Sequence, residues 1–274
     1  MKIDAHQHFW KYDPIRDAWI DDKMNAIQRD FMPEDLQPEL ENNGLAGCIA
    51  VQATESKAET RFLLDLAERH SWVKKVVGWI DLRSSKIEIE LEAYSPEVKL
   101  AGFRKILQSL PPEEMEDRAL LKGIGHLEKY GYTYDILIYP KHLEAAYHLV
   151  KKFPNQAFVL DHLAKPDIKN GEFKIWNKGI KQLASLPNVS CKVSGMVTEA
   201  DWENWQKEDF KPYLDAVAES FGVERMMYGS DWPVCLLAGS YTQVHDLAMD
   251  YFQKFSPAEQ QMVFGENACR FYGV

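Results

Sequence analysis

Eight short runs rich in β-branched and aromatic residues recur along the chain, and most of the intervals between them carry the 3.6-residue apolar period of helices. The runs are Ile3–Phe9, Ala46–Gln52, Val76–Asp81, Leu100–Ile106, Thr133–Ile138, Ala157–Asp161, Val189–Val193 and Met226–Gly229. Alternation of this kind predicts βαβ units and a parallel sheet. Runs such as Phe158-Val159-Leu160, apolar on both faces, fit parallel strands covered by helices. Eight such units predict an α/β fold, a single (β/α)8 TIM barrel occupying residues 1–274.

The helix signals are local. Pro33 opens a helix that stops at Asn43-Gly44, and Ser56 caps an amphipathic stretch to His70 with Phe62, Leu63, Leu66 and Ala67 on one face. Further helices are expected over Glu113–Lys129, Pro140–Lys152, Trp176–Ser185, Phe210–Phe221 and Tyr241–Lys254. No Pro/Ser-rich linker or repeat divides the chain. One connection is long: residues 11–32 hold Trp19, Ile20, Met24, Ile27 and Phe31 without a clean period, and at the carboxyl end of a first barrel strand such a loop is a candidate lid.

Composition narrows the function. With 46% hydrophobic and 27% charged residues the chain can bury a large core. It has no run of about 18 apolar residues and no basic segment ahead of an apolar one, so a soluble, cytoplasmic protein with no membrane partner is expected. A net charge of -10 without a basic block argues against a nucleic-acid partner. Cys48, Cys191, Cys235 and Cys269 are far apart and form no C-x-x-C pair, which predicts free thiols. A small-molecule partner is expected, and a homo-oligomer stays open.

In a barrel of this kind, reactive side chains belong at the carboxyl ends of the strands. His6 and His8, two residues apart on the first strand, share a face. Arg104 and Lys105 end the fourth strand, His162 follows the sixth, Lys192 and Ser194 end the seventh, and Asp231 follows the eighth in Gly229-Ser230-Asp231-Trp232-Pro233. Paired imidazoles facing one space suit a metal or a proton-transfer site. Each residue also has a plainer reading: His162 as a satisfied barrel histidine, Asp231 as a turn carboxylate, and Arg104 and Lys192 as inward charges paired to Asp161 or Asp81.

At these positions the chain resembles the amidohydrolase superfamily, in its branch of sugar-acid lactonases. The resemblance runs nearly end to end, through Ile3–Trp10, Arg29-Asp30-Phe31, Val77-Gly78-Trp79, Gly102-Phe103-Arg104, Asp161–Pro166, Lys192–Gly195, Gly229–Pro233 and Phe264-Gly265-Glu266-Asn267. It implies hydrolysis of an intramolecular ester, an aldonolactone such as L-fucono- or L-rhamnono-lactone, with Asp231 as general base. Lys105 departs from the pattern, since members of the branch often carry histidine there. A metal-dependent decarboxylase, a dicarboxylic-lactone hydrolase of the same superfamily and a non-catalytic sugar-binding barrel are the competing readings.

Lactone hydrolysis needs a base for water, a group to polarise the carbonyl and donors for the ring hydroxyls. Asp231 suits the first task, and His162 and Arg104 suit the second. Trp10, Trp19, Trp79 and Trp232 offer flat faces to a sugar or serve core packing, and Lys105 and Lys192 offer charge to its oxygens. Binuclear members of the superfamily use a bridging Lys or Glu on the fourth strand and a histidine on the fifth. Here Arg104 cannot lose its proton and Tyr132–Tyr139 contains no histidine, so one divalent ion at most is expected. A zinc on His6, His8 and Asp231, with His162 as a further ligand, satisfies ordinary ligation. Its removal is expected to leave a substantial part of the activity.

Overall fold

The computed structural model describes residues 1–274. Eight parallel strands follow one another around a single sheet in chain order: β1 (Asp4–Gln7), β2 (Cys48–Val51), β3 (Val73–Gly78), β4 (Leu100–Ile106), β5 (Thr133–Leu137), β6 (Phe158–Leu160), β7 (Val189–Val193) and β8 (Met226–Tyr228). The sheet closes just beyond β8. Asp231 N donates to His6 O at 2.8 Å and His8 N to Trp232 O at 2.7 Å. The buried Asp4 carboxylate staples the same seam, accepting from His6 N at 3.0 Å, Ser230 N at 2.9 Å and the Tyr241 hydroxyl at 2.9 Å. The fold is a (β/α)8 barrel, and its closing bonds hold His6, His8 and Asp231 in register.

The barrel interior changes character along its axis. Toward the amino ends of the strands, Ile3, Ala5, Ile49, Val51, Val77, Ala101, Val159 and Met227 form a small apolar core, and Tyr272 and Ala268 plug it from below. Above it lies a charged layer of Asp135, Asp161, Lys192, Arg104 and His6, all buried. The register of β1 against β2 slips between Asp4 and Gln7. This slip lets Ala5 join the inner core and His6, its neighbour, face inward as well. The larger core lies outside the barrel, between strands and helices.

Helices α1 (Pro33–Asn42), α2 (Lys57–Arg69), α3 (Ile87–Ala93), α4 (Arg118–Tyr130), α5 (Leu143–Lys151), α6 (Lys174–Ala184), α7 (Lys207–Phe221) and α8 (Tyr241–Phe252) follow the eight strands in turn. Short helices α9 (Pro257–Gln261) and α10 (Asn267–Tyr272) complete the chain. Helix α3 has no counterpart among the sequence-predicted helices, because Ile87-Glu-Ile-Glu-Leu-Glu alternates with the period of a strand. Only Ile87 and Leu91, four apart, are buried, while Ile89 is exposed. Strand β3 runs Val73–Gly78 rather than Val76–Asp81, since Lys74 and Lys75 lie only half-buried within the strand. The expected helix over Glu113–Lys129 breaks at Asp117, whose side chain caps α4 by accepting from Leu120 N at 2.8 Å.

Residues 11–32 fold back over the carboxyl end of β1. Their base is clamped by Trp10 N to Phe31 O at 3.0 Å and Phe31 N to Trp10 O at 2.9 Å, and one stretch, Asp22–Ile27, is 3-10 helix. Cys48, Cys191 and Cys235 are buried free thiols and Cys269 is a half-buried one. No helix is long and apolar enough to cross a membrane.

Candidate active site

At the carboxyl end of the barrel, three imidazoles surround one carboxylate. Asp231 Oδ1 lies 3.3 Å from His8 Nε2, 3.8 Å from His6 Nε2 and 3.8 Å from His162 Nε2, and His6 Nε2 lies 3.3 Å from His8 Nε2. Burial pushes the Asp231 carboxyl up, but His162, His8 and His6 together outweigh it and hold it well below the usual carboxylate range. Burial also lowers His162, to about 4, so the ring is neutral near pH 7. Of these groups His8, His162 and Asp231 open onto a cavity of about 250 Å³ that Trp19, Arg104, Gln108, Ser109 and Lys165 also line, while His6 lies buried behind them.

Beneath them runs a buried ion network that meets the cavity through Arg104. Lys192 Nζ donates to Asp135 Oδ2 at 2.6 Å and lies 3.0 Å from both Asp161 Oδ1 and His6 Nδ1. Arg104 binds Asp161 Oδ2 at 3.0 Å and the carbonyl oxygen of Gln52, and it comes within 3.3 Å of His6 Nε2. Tyr272 donates to Asp135 at 2.9 Å from the barrel floor. Burial raises both carboxyls. For Asp161, however, Lys192, His6 and Arg104 outweigh burial and keep it ionised, whereas Asp135, with Lys192 as its only close cation, is pushed up to about 6. Burial and the Lys192 charge depress His6 well below its ordinary value.

The chain after β6 is strained. His162, Leu163, Ala164 and Lys165 all have left-handed backbone, with φ of 53°, 54°, 59° and 50°. Each such L-residue costs about 1–2 kcal/mol. A left-handed turn of this length brings residues three apart to one side, and both His162 and Lys165 line the cavity. The turn is held by Lys165 N donating to His162 O at 2.6 Å and by Trp176 Nε1 donating to Leu163 O at 2.7 Å. Asp231 is left-handed too, with φ 58°. Gly195 packs behind this pair at φ 59°, where a Cβ would meet His162 Nδ1 at 2.5 Å. Ser194 Oγ lies 2.8 Å from that same nitrogen.

The donor set fits one divalent cation. Ligands about 2.0–2.1 Å from a tetrahedral ion stand about 3.3 Å apart, close to the edges of the His6–His8–Asp231 triangle. His8 Nδ1 is committed to Val51 O at 2.7 Å, which leaves Nε2 for a metal. A second grouping, His6, Asp161 and His162, is already neutralised: Arg104 and Lys192 sit on the Asp161 carboxylate where a second ion would bind.

Residues 3–274 match the family model described as Amidohydrolase. The chain belongs to the amidohydrolase family. It is 36% identical to L-fucono-1,5-lactonase from Burkholderia ambifaria, over 100% of this chain and 96% of that one. L-fucono-1,5-lactonase from Burkholderia multivorans is also 36% identical, with the same shares covered. A crystal structure of an amidohydrolase from Burkholderia multivorans with bound zinc superposes at a TM-score of 0.97, with 36% identity over 100% of this chain and 99% of that one.

In this amidohydrolase, the residues expected from sequence divide into four groups. His6, His8, Arg104, His162 and Asp231 converge, and Trp19, half exposed on the 11–32 segment, reaches the same cavity as His8, Arg104, His162 and Asp231. Lys192 does not reach it: the side chain is fully buried and spent on Asp135 and Asp161, so the expected contact with substrate gives way to the plainer paired-charge reading. Trp10 and Trp232 are core residues packed around Phe31, at ring separations of 5.5 and 5.1 Å. Trp79 and Lys105 do not line the cavity either. Trp79 is half-buried behind Thr60, and Lys105 lies 3.5 Å from Glu55. Sequence reasoning did not single out Gln108 and Ser109, which carry no motif, or Lys165, whose signal is the Asp161–Pro166 run itself; Asp161 was named as a charge partner, and it pairs with both Arg104 and Lys192.

Proposed function

We propose that this amidohydrolase hydrolyses the lactone of a sugar acid, an aldonolactone such as L-fuconolactone. The observation that carries the chemistry is the placement of Asp231 among His6, His8 and His162 at 3.3–3.8 Å, at the floor of a cavity open to a small molecule. The substrate class rests on the two L-fucono-1,5-lactonases that this chain matches along its whole length.

Asp231 takes the proton from the attacking water. In the tautomer in which the Ser194 hydroxyl donates to Nδ1, His162 carries its proton on Nε2 and offers it to that water or to the oxygen that gains charge. Arg104 has two of its nitrogens committed to Asp161 and Gln52, so it acts through its fixed charge at the cavity wall. Trp19 supplies an apolar face for the ring, and Gln108 and Ser109 offer polar groups to its hydroxyls. His6, His8 and Asp231 would hold a zinc ion, with His162 beside it. When bound, that ion supplies carbonyl polarisation and acidifies the attacking water. With one guanidinium on the wall, the cavity lacks the arginine cluster that a dicarboxylic substrate calls for.

The test is a panel of five- and six-membered lactones of six-carbon aldonic acids assayed with a pH indicator. Fast acid release from 6-deoxy L-sugar lactones is expected, with amides and phosphotriesters slow. Equal or better turnover of dihydroorotate or N-acyl amino acids overturns the reading.

A further inference from the structure

The geometry points to Lys165 as a further catalytic residue, the acid that protonates the ring oxygen leaving the lactone. This rests on the lactone-hydrolase reading above. That reading provides a base and a polarising environment but no dedicated donor for the leaving alkoxide, and an aliphatic alkoxide is a poor leaving group unless it is protonated as the bond breaks.

Lys165 has what this role requires. It lines the same cavity as Asp231 and His162, and its amine has one ionic partner, Glu199, at 3.5 Å. That distance is too long for a strong hydrogen bond, so the ammonium retains donors for a ligand. Glu199 is itself largely buried, and burial raises its carboxyl, with Lys165 as the nearest cation acting against the rise. The backbone supplies the second argument. Four consecutive L-residues in left-handed conformation cost several kcal/mol, and strain of this kind persists where the surrounding structure fixes a functional group. The turn delivers two side chains to the cavity, His162 at its start and Lys165 at its end. A purely structural turn would need neither there.

The step balances. The water oxygen bonds to the carbonyl carbon while its proton passes to Asp231. The ring C–O bond breaks with its electron pair going to the ring oxygen, and Lys165 Nζ gives that oxygen a proton. Through cavity water the amine recovers the proton held by Asp231, and the new carboxylic acid ionises into solvent.

A leaving group that needs no proton should not need Lys165. The experiment therefore compares an aliphatic δ-lactone with a phenolic one, dihydrocoumarin, in wild type, Lys165→Met and Lys165→Arg. Arginine keeps the charge and the Glu199 pair but does not release its proton. For both variants, kcat on the aliphatic lactone should fall roughly 10²–10⁴-fold, with a loss under about threefold on dihydrocoumarin. Near wild-type turnover of the aliphatic lactone by Lys165→Arg overturns the assignment. So does an equal loss on both substrates, which would mark a structural or oxyanion-binding role. If wild type hydrolyses simple aliphatic lactones but no aldonolactone, the sugar-substrate reading fails while the leaving-group comparison still decides Lys165. An enzyme inert to every lactone overturns both.

Discussion

His8 donates Nδ1–H to the carbonyl oxygen of Val51 across 2.7 Å, and this bond turns Nε2 of the same ring toward Asp231. The tautomer is thereby set by β2, a neighbouring strand, rather than by the site itself. One divalent ion per chain is the expected outcome of elemental analysis, and His8→Ala should reduce occupancy to near zero at equal protein and zinc. The sequence suggested that chelation would spare much of the activity. A larger effect is expected here, because His8 and Asp231 line the cavity and are also ligands of the ion, which when bound polarises the carbonyl and acidifies the water. Metal-free enzyme should lose activity roughly 10²-fold or more and regain it with stoichiometric zinc. Undiminished turnover after verified metal removal would contradict this.

Asp231→Asn nearly preserves volume while removing the base and a ligand. The expected loss in kcat is about 10²–10⁴-fold, with the folded state retained. Since Asp231 N also closes the barrel through His6 O, a backbone bond the substitution leaves intact, the thermal midpoint is the control. A variant with near wild-type rate would return Asp231 to the role of a turn residue.

Much of this molecule could be read from its sequence, for reasons that differ by residue. Parallel strands buried on both faces announce themselves through runs such as Phe158-Val159-Leu160, and helices through faces such as that of Ser56–His70. Helix α3 escaped because its pattern has the period of the wrong element. Within the site, His6 and His8 were legible because spacing by two fixes a shared face. The fate of Lys192 was not, since a lysine at a strand end looks the same whether it meets a substrate or, as here, two carboxylates from β5 and the end of β6. Trp10 and Trp232 were ambiguous for a similar reason, as a tryptophan buried in a core and one facing a sugar share the same local sequence signal. The left-handed run at His162–Lys165 contains no glycine, the residue that ordinarily marks such backbone.

Gly195→Ala places a methyl group 2.5 Å from His162 Nδ1 and 3.1 Å from Asp231 Oδ2, on a backbone at φ 59°. The neighbours are ring and carboxylate atoms of the site, so relief requires displacing the residues that do the chemistry. Activity should fall at least about tenfold, with a stability loss of about 1–2 kcal/mol. Steady-state kinetics beside a urea titration would check the split, and unchanged kcat/KM would show that His162 can move without consequence.

The last expectation concerns acid. His162, lowered by burial to about 4 from an ordinary 6.5, is neutral when folded, but its unfolded counterpart takes up a proton below about 6.5. The unfolded chain therefore binds more protons between those values, and stability contributed by this group falls as pH drops from about 6.5 to 4. The difference corresponds to about 3 kcal/mol at most. Asp135, pushed up to about 6, works in the opposite direction between 3.8 and 6, because its folded form holds the proton longer. Comparing His162→Asn with wild type cancels the Asp135 contribution. In metal-free protein, the drop in urea midpoint between pH 7 and pH 4.5 should be smaller for the variant. Equal drops would mean that His162 titrates normally in the folded chain, and that the cavity floor is wetter than its burial implies.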